Sequence, residues 1–257
     1  MKCRNTALVA AAALTSALPT LVYAQEIAQA DKSEVGFYVS GQVGYSQQVN
    51  DSEAIGQNIA VDADFPAEFD AGDGVVGGIG LGYKFDENFR IEGRLSYREG
   101  SFSETRFGTG AREGQEYILD GDIQSTTLTV EGFYDFPNKT AFTPYIKVGV
   151  GVSDNSYSAR LGGQGVAGFD AFDGAVDGYY DAYADGDATQ FTWNVGFGGN
   201  YQITQKFSLY GEYQYASFGD INTGQDSFTD GFKIDDIASH EVVIGIKRLS
   251  MPNVETG

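Results

Sequence analysis

The chain has 257 residues, 36 Asp plus Glu against 16 Lys plus Arg, and a formal charge of −20. Such an acidic chain is repelled by phosphate backbones, which argues against nucleic acid as a partner. One Cys and one His cannot build the usual Cys/His zinc site. Aromatic residues at 14%, 35 Gly and only 5 Pro argue against disorder and for an all-β protein.

Residues 1–24 read as a Sec-type signal peptide. Lys2 and Arg4 form the basic n-region, Ala7 to Leu18 the apolar core, and Val22-Tyr23-Ala24 the cleavage site, leaving Gln25 first in the mature chain. The apolar core is short for a membrane anchor. Cys3 precedes that core, whereas a lipoprotein Cys follows it. The mature chain therefore has no Cys and holds together without disulfides. Residues 25–34 read as a short periplasmic segment.

Strict period-two alternation then recurs eight times. The first strand is expected over 35–46, with Phe37, Val39, Val43 and Tyr45 on one face. The second, 74–85, sets Val75, Ile79, Leu81 and Tyr83 against Val76, Gly78, Gly80, Gly82 and Lys84. In 89–98, Phe89, Ile91, Leu95 and Tyr97 oppose Arg90, Glu92, Arg94, Ser96 and Arg98. Further strands are expected over 122–135, 142–153, 188–202, 207–217 and 238–249. Lengths of 10–15 residues suit tilted membrane-spanning strands and exceed the usual soluble strand.

The connections alternate. Three are short (86–88, 136–141, 203–206) and four are long (47–73, 99–121, 154–187, 218–237). This rhythm predicts an eight-stranded antiparallel up-and-down transmembrane β-barrel over 35–249, with periplasmic turns, extracellular loops and a tail at 250–257. The aromatics agree. Phe37, Tyr83, Phe89, Phe142, Tyr201 and Phe207 gather near the short turns, and Tyr45, Tyr97, Trp193 and Tyr215 near the long loops, as two interfacial girdles. A soluble lipocalin-like barrel would turn the same apolar face inward instead.

With the apolar face on lipid, the other face fills the lumen. Counted from the short turns, Arg94, Glu131, Lys147 and Glu212 fall in one layer, with Arg90, Glu92 and Lys84 below it and Glu241 above. Buried charges must be paired, so an ion-pair plug is one expectation. A small water-filled gap lined by the same charges is the other.

The segments Gly74-Val-Val-Gly-Gly-Ile-Gly-Leu-Gly-Tyr-Lys-Phe85, Phe89-Arg-Ile-Glu-Gly-Arg-Leu-Ser-Tyr97, Val130-Glu-Gly-Phe-Tyr-Asp-Phe-Pro137 and Thr143-Pro-Tyr-Ile-Lys-Val-Gly-Val-Gly151 carry a resemblance. They resemble the opacity-protein and surface-antigen family of small outer-membrane barrels, relatives of the outer-membrane-protein-A barrel. The resemblance implies a surface-exposed barrel of Gram-negative bacteria used in adhesion, host interaction or envelope structure. Its implied partners are outer-membrane lipid and lipopolysaccharide and the barrel-insertion machinery. That machinery reads a terminal aromatic residue, whereas this last strand ends at Leu249.

Other motifs carry less. Gly78-Ile-Gly-Leu-Gly82 lies inside a strand with no helix after it, so it relieves crowding in a narrow barrel rather than cradling phosphate. His240 is the one His, beside Ser239, but adjacent strand residues face opposite ways, so no nucleophile–base pair is expected. Asp170, Asp173, Asp177, Asp181, Asp185 and Asp187 lack EF-hand spacing, which leaves a solvated acidic tip as the default and calcium as the alternative. Interleaved Phe169, Phe172, Tyr179, Tyr180 and Tyr183 make that tip a contact patch for an extracellular protein or glycan. No cofactor is expected.

The four long connections hold 24 acids and 4 bases, so nearly all the negative charge lies in an extracellular crown. The leading expectation is a non-enzymatic surface role. A narrow passive channel comes second, and an outer-leaflet lipid-modifying enzyme third.

Overall fold

The computed structural model describes residues 35–54, 72–110, 113–114, 116–162, 179–222 and 232–249. Eight strands follow in chain order: β1 (Gly36–Ala54), β2 (Asp73–Lys84), β3 (Phe89–Phe107), β4 (Glu116–Asp135), β5 (Phe142–Gly162), β6 (Tyr179–Gln202), β7 (Phe207–Asn222) and β8 (Phe232–Leu249). Each pairs antiparallel with its chain neighbours, and β1 pairs with β8 to close the barrel. Closure leaves no unpaired edge across the apolar band, which a chain immersed in hydrocarbon requires.

Register turns the sequence alternation into two surfaces. Ile79 lies opposite Leu95, Leu95 opposite Leu128, Leu128 opposite Val152, and Val152 opposite Phe191. These side chains form one apolar row around the outside, between 46% and 67% exposed to the surrounding medium. Their inward neighbours Arg94, Ser96, Thr127, Thr129 and Ser153 are all buried. The apolar face thus points outward, as in a membrane barrel and opposite to a soluble one.

The short connections are built by local capping. Asp86 Oδ1 accepts from the Asn88 and Phe89 amides, each at 2.8 Å. Asn138 Oδ1 accepts from the Thr140 amide at 2.8 Å, and Thr204 Oγ1 accepts from the Phe207 amide at 3.1 Å. Short polar side chains that bond the backbone two or three residues on favour such turns.

The other end differs from expectation. Strands there run well past the expected boundaries, leaving only 55–72, 108–115, 163–178 and 223–231 between them. β6 has 24 residues, whereas a tilted span needs about 9–11. At about 3.3 Å per residue, more than half of its length lies outside a single bilayer crossing. Paired hairpins therefore replace most of the expected loops. These extensions pair on at least one side, residues 179–192 of β6 with β5 alone, so strand structure continues where lipid no longer demands it. The signal segment, residues 25–34, the tail and Asp170, Asp173 and Asp177 of the acidic tip lie outside the described residues.

Candidate functional site

β3 supplies an inward arginine every fourth residue, and each founds one tier of charge. Arg90, Arg94 and Arg98 are 5%, 3% and 4% exposed. Four residues of strand separate the tiers by about 13 Å along the chain.

The middle tier is the densest. Arg94 Nη2 lies 2.9 Å from Glu92 Oε1, Nε lies 3.3 Å from Glu131 Oε2, and Nη1 lies 3.6 Å from Glu212 Oε1. Lys147 Nζ lies 2.7 Å from Glu212 Oε1 and 3.2 Å from Glu131 Oε1. The approach to Glu212 is an ion pair outside hydrogen-bond geometry, whereas Lys147 donates a hydrogen bond to Glu131. Three carboxylates thus face two cations. Neutral donors stabilise the excess negative charge. Ser40 donates to Glu92 at 2.8 Å, Tyr145 to Glu212 at 2.8 Å and Asn194 to Glu131 at 3.1 Å. Hydrogen bonds to a charged acceptor are about twice as strong as neutral ones.

Glycines make room for this tier. A Cβ at Gly80 would overlap Glu92 and Ser40, one at Gly82 would overlap the Tyr38 ring, and one at Gly149 would stand 2.9 Å from Glu131 Cγ. The bare inward face of β2 is therefore a packing requirement, as the strand reading of its Gly repeat anticipates.

The tier toward the short turns holds Arg90, whose Nε lies 3.1 Å from Asp135 Oδ2 and whose guanidinium centre lies 3.6 Å from the Phe133 ring centroid. Tyr38, Tyr145 and Tyr210 fill the same end of the lumen and are 1%, 2% and 7% exposed. The tier toward the crown pairs Arg98 with Glu241, which also accepts from Gln214 and, at 2.8 Å, from Ser239. Arg98 donates to Thr127 Oγ1 at 2.9 Å.

Of the interior charges expected from sequence, the structure gathers Arg94, Glu131, Lys147 and Glu212 in one layer. Glu92 is a correction. It does not lie below that layer but joins it, because an arginine two residues on along β3 is long enough to reach it. Arg90 and Glu241 lie in the flanking tiers, and their partners Asp135 and Arg98 were missing from the expected cluster. Both stand on inward positions, so parity alone would have found them.

The expected girdle residues all stand on the outward face. Near the short turns, Phe37 meets Tyr83 at 4.9 Å and Phe89 meets Tyr134 at 5.0 Å, edge to face. Phe142, Tyr201 and Phe207 continue this ring, with the Arg248 guanidinium 5.5 Å from the Phe207 ring. Toward the crown, Trp193 meets Tyr215 at 5.6 Å, Tyr45 donates to Asp73 at 2.7 Å, and Tyr97 is 45% exposed. His240 also faces outward, its Nδ1 2.7 Å from the Tyr213 hydroxyl, while Ser239 is buried and bonds Glu241. The two residues do not form a catalytic pair.

An apolar outer face, two aromatic girdles and a polar, charge-paired interior define a membrane-spanning β-barrel of the outer-membrane type. The chain belongs to the outer membrane protein β-barrel domain family, whose model matches residues 10–235. It is accordingly a Gram-negative outer-membrane barrel. It is 28% identical over 212 residues to the outer membrane protein PagN of Salmonella typhimurium, covering 75% of this chain and 79% of PagN. Among solved structures it is similar to Neisserial surface protein A, at 15% identity and a TM-score of 0.47, covering 84% of this chain and 97% of that one. It is also similar to Ail, the attachment invasion locus protein of Yersinia pestis, at 14% identity and a TM-score of 0.38, covering 82% and 99%.

Proposed function

We propose that this protein is a non-conducting, non-catalytic barrel that carries an acidic crown on the cell surface for interaction with an extracellular partner. The observation that carries the reading is the middle tier. Arg94, Lys147, Glu131 and Glu212 meet at 2.7–3.6 Å across the lumen, each 4% exposed or less. Eight strands enclose an interior just wide enough for side chains to fill, so such a tier leaves no wide aqueous path.

The crown supports the interaction half. The stretches 47–73, 99–121, 154–187 and 218–237 carry 24 acids against 4 bases, and paired strands raise much of that charge above the outer girdle. A crown of that sign disfavours anionic polymers and favours cations and basic protein surfaces. Outer-membrane lipid would meet the apolar band and the aromatic girdles below the crown.

Proteoliposome swelling in isotonic arabinose tests the closed lumen. The rate should match protein-free vesicles. Swelling at a porin-like rate would favour the passive-channel reading. Adhesion of expressing cells to immobilised basic protein should exceed that of vector controls and fall with salt, and equal adhesion would remove the interaction role.

A further inference from the structure

The short-turn mouth of the barrel carries the opposite charge to the crown. Lys84, Lys206 and Lys247 line a recess of about 100 Å³ there, with Thr143, Asn200 and Gln202. The recess has room for several waters, or one compact charged group.

Neither of its two acids pairs with Lys247. Asp135 is committed to Arg90, whose Nε reaches both carboxylate oxygens, at 3.3 and 3.1 Å. Glu87 is exposed on the turn. Lys247 donates to the neutral Asn200 Oδ1 at 2.9 Å and lies 5.4 Å from the Tyr38 ring centroid. No carboxylate of the described residues lies within 4.0 Å of its ammonium. A half-buried ammonium held by an amide and a ring has lost water without gaining a counter-charge.

Arg90 stands at the same end of the lumen. It flanks the same Tyr38 ring, its side chain is 4% exposed, and its Nη2 is buried with no hydrogen-bond partner. That guanidinium stacks on Phe133 and does not line the recess, so Lys247 carries the site.

We propose that this periplasmic mouth binds a small oxyanion, a phosphate or carboxylate group, with Lys247 as its principal contact and Lys84, Lys206 and Asn200 around it. Lys84, Asn200, Ser208 and Lys247 all stand on inward strand positions, so the anion enters along the barrel axis from the periplasm. The same chemistry could also be supplied by the headgroup of an anionic lipid in the adjoining leaflet.

The test is titration calorimetry of the refolded full barrel in maltoside, with inorganic phosphate and with succinate at constant ionic strength. Saturable binding is expected, weakened tenfold or more by Lys247→Gln and several-fold by Lys206→Gln. Lys139→Gln, an exposed lysine on the neighbouring turn, should leave it unchanged. Lys206 sits on an exposed turn, so that variant keeps the test valid if Lys247→Gln does not fold. The titration is repeated in nanodiscs with and without phosphatidylglycerol. Loss of phosphate binding only with that lipid identifies the headgroup as the source, and unchanged binding identifies the free anion. Absence of saturable binding, or equal binding by all three variants, would overturn the site.

Discussion

Removing the Lys147 ammonium is the sharpest perturbation of the interior. Lys147→Met keeps the stem and leaves three carboxylates facing Arg94 alone. The two lost contacts, at 2.7 and 3.2 Å, are worth roughly 6 and 5 kcal/mol at an effective dielectric constant of about 20. Relief from burying the ammonium offsets several kcal/mol of that, so the net loss is about 3–5 kcal/mol. Equilibrium urea unfolding from lipid vesicles measures it. Trp193 is the one tryptophan, 40% exposed on the outward face, and its fluorescence reports exit from lipid. Adding Glu212→Gln restores the charge balance, so the double variant should be more stable than additivity requires by about 1.5 kcal/mol, within the range found for coupled neighbours. A Lys147→Met cost below about 1 kcal/mol, or strict additivity, would refute a tier held by paired charge.

Other expectations follow from the same geometry. Gly80→Val drives a side chain into Glu92 and Ser40 and should lower stability by about 1–3 kcal/mol in the same unfolding assay. Val130→Arg places a cation in the apolar band and should cost about 2–4 kcal/mol, whereas Gln124→Arg, six residues nearer the crown, should cost under about 1 kcal/mol. Residues 25–257 contain no Cys, so single cysteines there report topology cleanly in a Cys3→Ser background. On intact cells, Ser101→Cys should react with an impermeant maleimide and Asn138→Cys should not. The reverse pattern would invert the orientation.

Much of the barrel was legible because lipid enforces alternation. Leu95 and Ile79 had to face outward and Arg94 inward, so their register was readable from parity. Beyond the girdle that constraint ends. Residues 99–107 and 154–158 carry polar side chains on both faces, so the outward-apolar alternation does not continue through them. Pairing inside the lumen was harder to read than facing. Counting from the turns treats strands as level, but the strands of a barrel are tilted and staggered, and Arg94 reaches back along β3 to Glu92. Asp135 was legible as inward by parity, but it ends β4 beside a turn, where an acid reads as solvated, and its pairing with Arg90 shows only in the fold. The inward tyrosines Tyr38, Tyr145 and Tyr210 were overlooked because aromatics in a barrel suggest the interface first.

The central claim, that paired charge closes the lumen, is tested most directly by planar-bilayer conductance of wild-type protein against Arg94→Ala with Glu212→Ala. The double variant removes one cation and one carboxylate and so preserves net charge. Wild-type protein should show no stable openings, and the variant should conduct in discrete steps. A variant that remains heat-modifiable on a detergent gel, and so folded, yet is as silent as wild type would contradict the account.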